Sequence, residues 1–215
     1  MFADARPDLT HCPAGFAAAV GWSDEAADRL ADLGRRLAIA NETTNLVGRS
    51  TLAAFWSRHV LDSAQLIWFA PDALVWADIG SGAGFPGLVL GVLLKGRPGA
   101  RVHLIESKEK KCRFLRESAA ALDLPCEVHQ CRAEDVSLKV DVLTARACAP
   151  LCRLLSYTEA CFARGARGLF LKGEGVDAEI REARRMWRFE ATVRESLSDA
   201  RGRILAVEGV KRGRP

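Results

Sequence analysis

The run from Val75 to Gly87, Val-Trp-Ala-Asp-Ile-Gly-Ser-Gly-Ala-Gly-Phe-Pro-Gly, restricts the folds open to this chain more than any other stretch. Trp76 to Ile79 is a short apolar run broken by one carboxylate, the pattern of a buried strand. Gly80, Gly82 and Gly84 then permit positive φ and close approach of a ligand to the backbone, and Pro86 suits the first position of a helix. A strand, a glycine turn and a helix start together aim free backbone N–H groups at a ligand.

The glycine spacing narrows that ligand. A dinucleotide turn needs its third glycine five positions after its first, and Phe85 stands there. The pattern is G-x-G-x-G, which favours a nucleoside without a pyrophosphate, and S-adenosylmethionine (AdoMet) is the commonest nucleoside held in this way. A nicotinamide dinucleotide on the same sheet and a glycine turn without any cofactor are the competing readings.

Composition sets the outer limits. A chain of 215 residues, 49% hydrophobic, can bury the core of one α/β domain with an appendage. Met1 to Cys12 holds Asp4, Pro7 and Asp8 without an apolar core, so no signal peptide is expected, and the run Gly84 to Leu94 is too short to span a bilayer. Seven scattered cysteines, an odd number, fit reduced thiols and a cytoplasmic location. Cys148 and Cys152 lack a third partner, since Leu155 stands where an iron–sulfur motif needs a cysteine. His11, His59, His103 and His129 form no zinc spacing with the cysteines, and no metal is expected. The formal charge of +4 is uneven: residues 1–70 carry six basic and eight acidic side chains, while Arg201 to Pro215 holds Arg201, Arg203, Lys211, Arg212 and Arg214 against Glu208 alone. A basic tail of this kind either contacts phosphate or is merely solvated.

Ser23 to about Ala40 reads as an amphipathic helix with Ser23 as N-cap, and a second helical stretch runs from about Thr51 to Phe69. Residues 1–70 are thus expected to form a helical N-terminal cap, and 71–215 the core. Strands and helices alternate afterwards: Val75–Ile79, a helix from Pro86, Val102–Glu106, helix Lys108–Leu122, Glu127–Gln130, Val140–Ala145, a helix from Pro150 to about Ala163, Gly168–Leu171 and helix Val176–Trp187. That alternation predicts a mostly parallel sheet with helices on both faces. Two final runs, Arg188–Glu195 and Arg203–Val210, are joined only by Ser196–Gly202, too short for a crossover helix, so the seven-stranded sheet is expected to end in an antiparallel pair.

Ligands of such sheets lie beyond the C-terminal ends of the strands. The first strand ends in Asp78 and the turn with Gly80 and Gly82. The second ends in Glu106, whose carboxylate can accept both hydroxyls of a ribose or cap the helix at Lys108. The third leads to Ala133-Glu134, where Glu134 can accept from an adenine amino group. The fourth ends in Arg146, a cation for a cofactor carboxylate, a phosphate or a purine, or else one half of an ion pair, for example with Glu134. Thr144 to Pro150 lacks both the Pro-Pro-aromatic turn of exocyclic-amine methylation and the Pro-Cys of cytosine-C5 chemistry. A ring nitrogen with a free lone pair, such as guanine N7, fits these absences, because it carries no proton to remove. No catalytic acid or base is therefore nominated, and alignment of the nucleophile with the methyl sulfonium carries the reaction. His59, Asp62 and Ser63, three and four apart in the second helical stretch, face the same way beside the polar turn with Asn45, either to meet ligand or to join the cap to the core. Lys172 at the end of the fifth strand, with Lys211 and Arg212 in the tail, complete the candidate RNA contacts.

With these residues in view, the sequence resembles the RsmG (GidB) family of bacterial small-subunit rRNA guanine-N7 methyltransferases from about Leu30 onward. The resemblance rests on Asn45-Leu46, His59-x-x-Asp62-Ser63, Asp78 to Gly87, Lys110 to Leu115, Ala133-Glu134, Ala145-Arg146-Ala147 and Leu171-Lys172-Gly173. It implies a class I AdoMet-dependent, Rossmann-like fold, AdoMet as cofactor and methylation of N7 of a guanosine in the 530 loop of 16S rRNA, free or within the 30S particle; a monomer is expected. Carried over by position, AdoMet contacts fall on Gly80, Phe85, Ala133, Glu134 and Arg146, to which the strand ends add Asp78, Gly82 and Glu106. The chain departs from the family in having Val47 after Asn45-Leu46, where a threonine is usual, and Glu106 where an aspartate is commoner. A non-catalytic RNA-binding or assembly factor keeping the fold is the alternative from another functional class.

Overall fold

The structure is a computed structural model and describes residues 21–213. The first twenty residues of the expected cap, with His11 and Cys12, and Arg214 of the tail lie outside the described residues. Helix α1 (Asp24–Asn41) starts as its sequence dictates. The Ser23 hydroxyl accepts from the Ala26 N–H at 3.2 Å, Asp24 and Glu25 occupy the first turn, and Leu30, Leu33 and Leu37 form the buried stripe. Arg35 and Arg36 do not sit in the last turn; both reach back to Asp32.

The second helical stretch is less regular than its periodicity predicts. It consists of α2 (Arg49–Ala53), a π-helical segment Phe55–Leu61, the single turn α3 (Asp62–Ala64) and a 3-10 segment Gln65–Phe69. A π turn holds an extra residue and re-aims the side chains that follow, and such turns are frequent at functional sites.

Strands β1 (Val75–Ile79), β2 (Arg101–Glu106), β3 (Cys126–Gln130), β4 (Val142–Arg146), β5 (Arg167–Lys172), β6 (Trp187–Glu195) and β7 (Arg203–Arg212) form one sheet in the order β3-β2-β1-β4-β5-β7-β6. The first five are mutually parallel, and β7 is antiparallel to both β5 and β6, as the short link between β6 and β7 requires. The order reverses between β1 and β4, the switch point where ligands bind. Helix α4 (Gly87–Leu94) and α5 (Glu109–Ala121) lie with α1 on one face, over a core containing Trp76, Leu88 and Leu104; α6 (Leu151–Phe162) and α7 (Val176–Ala183) cover Ile79, Leu143 and Phe170 on the other. Residues of the N-terminal helices, including Leu30, Phe55 and Val60, belong to the same buried cluster as α4.

Most element boundaries differ from the expected ones by one or two residues, and two of the differences have a clear cause. The fourth strand starts at Val142, because Asp141 turns its carboxylate back to accept from the Leu74 and Val75 N–H groups, both at 2.9 Å. Helix α7 stops at Ala183, and Trp187 opens β6 with its indole buried.

Candidate active site

The glycine turn after β1 is held from both sides. Ser81 N–H donates to the Ile105 carbonyl at 2.9 Å, and the Glu106 carboxylate accepts from Gly82 N–H at 3.0 Å through Oε2 and from Lys108 N–H at 2.8 Å through Oε1. Glu106 therefore does perform the helix-capping role, and its remaining lone pairs are free for a ribose. Gly80 has φ +70°, and a Cβ there would lie 2.5 Å from Cys148 Sγ, so only glycine fits between the end of β1 and the loop after β4.

Asp78 lies beneath the turn, fully buried. It accepts from Gly87 N–H at 3.1 Å and from the Thr144 hydroxyl at 3.2 Å, binding the start of α4 to β4. Burial, only partly offset by these donors, pushes its carboxyl up to about 6. The sign follows directly: the folded state holds this proton more tightly than the unfolded chain does, so the stability present below about pH 4 is lost as pH rises through 6, by roughly 3 kcal/mol at most. Isosteric Asp78→Asn removes the titration. Denaturant unfolding from pH 4 to 7 is expected to show the wild type losing stability relative to this variant as pH rises, and parallel profiles would contradict the burial argument.

Phe85 is buried. Its ring stacks on His59 at 4.6 Å and 24°, meets Phe55 edge-on, and carries the Arg146 guanidinium 5.1 Å above its centroid. Arg146, at the end of β4, donates to the Arg58 carbonyl at 2.7 Å and to His59 Nδ1 at 2.8 Å, and lies 3.4 Å from Asp62 Oδ2. Its ion-pair partner is thus Asp62 and not Glu134, which is exposed on the 3-10 turn Ala133–Asp135 after β3. His59 is lowered to about 3, mainly by burial, then by the charges of Arg146 and Arg58, with the Thr51 backbone opposing. It is neutral, as its acceptor role at Nδ1 requires. Ser63 does not face His59's ring but donates its hydroxyl to the His59 carbonyl at 2.6 Å.

A cleft of about 690 Å³ opens over the ends of β4 and β5, beside the glycine turn, with Arg58, Asp62, Arg146, Cys148 and Asp199 in its wall. Lys172 is at its floor with only 8% of its side chain exposed, bonded to Glu179 at 2.7 Å and to the Ala149 carbonyl at 2.9 Å. Sequence reasoning read Ser196–Gly202 only as a short connection and missed its part in the site. Ser198 donates to Asp62 Oδ1 at 2.6 Å, Gln65 Oε1 accepts from Leu197 N–H at 2.9 Å, and Asp199 pairs with Arg58. The turn between β6 and β7 thereby closes the cleft, a role with no signature in a short run of Ser, Asp and Gly.

Three of the candidate RNA contacts, Asn45, Lys211 and Arg212, lie apart from the cleft. Asn45 is exposed in the turn after α1, which Asn41 organises by accepting from Leu46 and Val47 N–H at 2.8 and 3.0 Å. Lys211 and Arg212 end β7; Arg203, at its other end, pairs with Lys172, so an antiparallel β7 carries the tail to the opposite end of the sheet. Lys211 and Arg212 are therefore not beside the ligand edge, and Arg212 there binds Glu159 at 3.0 Å and sits over Trp187.

Sheet order, the antiparallel seventh strand and a glycine turn tied to an acidic β2 terminus define the class I, Rossmann-like methyltransferase fold. Solved structures agree on the fold: a SAM dependent methyltransferase from Aquifex aeolicus (TM-score 0.54, 16% identity, 72% of this chain and 91% of that one) and magnesium protoporphyrin IX methyltransferase from Synechocystis with bound SAM (TM-score 0.56, 16% identity, 83% and 90%). The family model of GidB, rRNA small subunit methyltransferase G, matches residues 26–205. Proteins with the name ribosomal RNA small subunit methyltransferase G include one from Caulobacter vibrioides, 53% identical over 97% of this chain and all of its own length, and one from Caulobacter sp. strain K31, 55% identical over 85% and 84%. The chain belongs to the rRNA small subunit methyltransferase G (GidB) family.

Proposed function

We propose that this chain transfers the methyl group of AdoMet to N7 of a guanosine in the 530 loop of 16S rRNA. AdoMet would lie over the ends of β1 and β2, with Gly80, Gly82, Glu106, Ala133 and Glu134 around it, and the guanine would enter the cleft over β4 and β5. The observation that carries the reading is Arg146. It is a cation fixed by three partners where turn and cleft meet, beside a histidine that is neutral and already committed to it.

The chemistry suits such a wall. The N7 lone pair forms a bond to the methyl carbon while the carbon–sulfur bond breaks and its electrons return to sulfur. No proton is removed; positive charge passes from sulfonium to purine. Arg146 orients an anionic or carbonyl edge, the carboxylates of Asp62 and Asp199 offset the charge arriving on the purine, and alignment provides the rate. Residues before β1 act in this reading as a cap that holds Arg146 from the side through Arg58, His59 and Asp62. No helix among the described residues is long and apolar enough to cross a membrane. We assign the chain to the cytoplasm, as a monomer acting on rRNA or the 30S particle.

Labelled AdoMet incubated with unmodified 16S rRNA or 30S particles tests this: label is expected at one guanine N7, read by cleavage at the modified base, and label elsewhere or none would overturn it. The RNA should meet the ligand edge. Arg201→Ala, on the β6–β7 turn, is expected to reduce the salt slope of RNA binding by about one, and Lys211→Ala to leave it unchanged. The reverse result would return the tail to the RNA interface.

A further inference from the structure

His103, Glu127 and His129 are a second constellation, absorbed neither by the cleft nor by the core. Parallel register pairs His103 of β2 with Glu127 of β3, and His129 follows two residues on, so all three project from one face of the sheet. Residues 131–141, which join β3 to β4, contain only the short turn Ala133–Asp135, so no crossover helix covers this face of the two strands. Spacing between cysteines and histidines could not reveal the group, because 26 residues separate the two histidines and strand pairing alone brings them together.

His103 Nδ1 and His129 Nε2 are 2.9 Å apart; Glu127 Oε2 lies 3.6 Å from the first and Oε1 3.6 Å from the second, and one donor atom from each residue lies within 4.8 Å of the others. Three donors bonded at about 2.0–2.1 Å in a tetrahedron are separated by roughly 3.3 Å, so a small turn of the carboxylate would bring one of its oxygens to the third corner. Two imidazoles and one carboxylate suit zinc and its late first-row neighbours, not calcium or magnesium, which favour all-oxygen sets. Glu127 has one other charged neighbour, Arg101 at 3.7 Å, and both side chains are more than half exposed, so the pair is weak.

We propose that His103, Glu127 and His129 bind one divalent transition-metal ion, with zinc as the representative, and clamp edge strand β3 to β2. Glu106 ends the clamped strand three residues beyond His103, so the ion would stiffen the strand that supports the glycine turn.

Isothermal titration of the full chain with zinc chloride is expected to give one equivalent bound with a micromolar or lower Kd. His129→Gln and Glu127→Gln, at a half-buried and an exposed position, should weaken it at least tenfold while leaving the metal-free melting temperature unchanged. Zinc at a hundredfold excess over the wild-type Kd should raise Tm by about 5 °C in the wild type and by half of that or less in the two variants. Because the cysteines could capture zinc, cobalt(II) spectra discriminate: d–d bands without a thiolate charge-transfer band support the site. A thiolate band, equal affinity in the His129 variant, or no binding at all would overturn it and leave the hydrogen-bonded imidazole pair as the whole function of the cluster.

Discussion

Arg146→Ala is expected to lower kcat/KM for methyl transfer by about 10²–10³, the scale on which loss of one fixed electrostatic group is felt in an active site. The side chain serves three partners from one planar fork, with Nη1 toward the Arg58 carbonyl and Asp62 and Nη2 toward His59. A lysine ammonium cannot span them, so Arg146→Lys is expected to recover little. The fold should survive the alanine change, since Asp62 keeps Ser198 and Phe85 keeps its stack on His59. A second readout separates positioning from general damage. The Arg146 charge helps to hold His59 low, so the imidazole should titrate higher in the alanine variant by NMR. Activity within threefold of wild type, or an unmoved His59, would remove Arg146 from the centre of the mechanism.

Gly80→Asp should abolish AdoMet binding, by at least a hundredfold in Kd. A side chain at φ +70° is strained by about 1 kcal/mol, its Cβ collides with Cys148 Sγ, and a new carboxylate enters the turn that Glu106 already makes negative. Calorimetric titration with AdoMet measures the effect, and the melting curve of the free protein shows whether the turn or the whole fold has failed. The steric part has its own check. Gly80→Ala should lose affinity less in a Cys148→Ala background than alone, because the colliding sulfur is gone, and additivity of the two changes would refute the packing argument. Retained binding in Gly80→Asp would move the cofactor away from this turn.

Much of the architecture could be read along the chain because its signals are local. The alternation of strands and helices, the Ser23 cap, the Ser196–Gly202 link too short for a crossover, and the spacing of Gly80, Gly82, Gly84 and Phe85 each depend on residues within a few positions of one another. So does Glu106, readable because it closes an apolar strand. The π turn at Phe55–Leu61 was invisible by the same logic, since a 3.6-residue period assumes a regular helix, and it changes which way His59, Asp62 and Ser63 point.

By itself, then, the sequence determined an α/β chain with an AdoMet-type turn and a family resemblance that the comparisons bear out. Tertiary structure alone decided which charges meet. It paired Arg146 with Asp62 rather than Glu134, sank Lys172 against Glu179, carried Lys211 and Arg212 to the far end of β7, and set His103 beside His129. Each depends on sheet order or strand direction joining residues distant in the chain, and a charge acts only on what lies within a few ångströms of it.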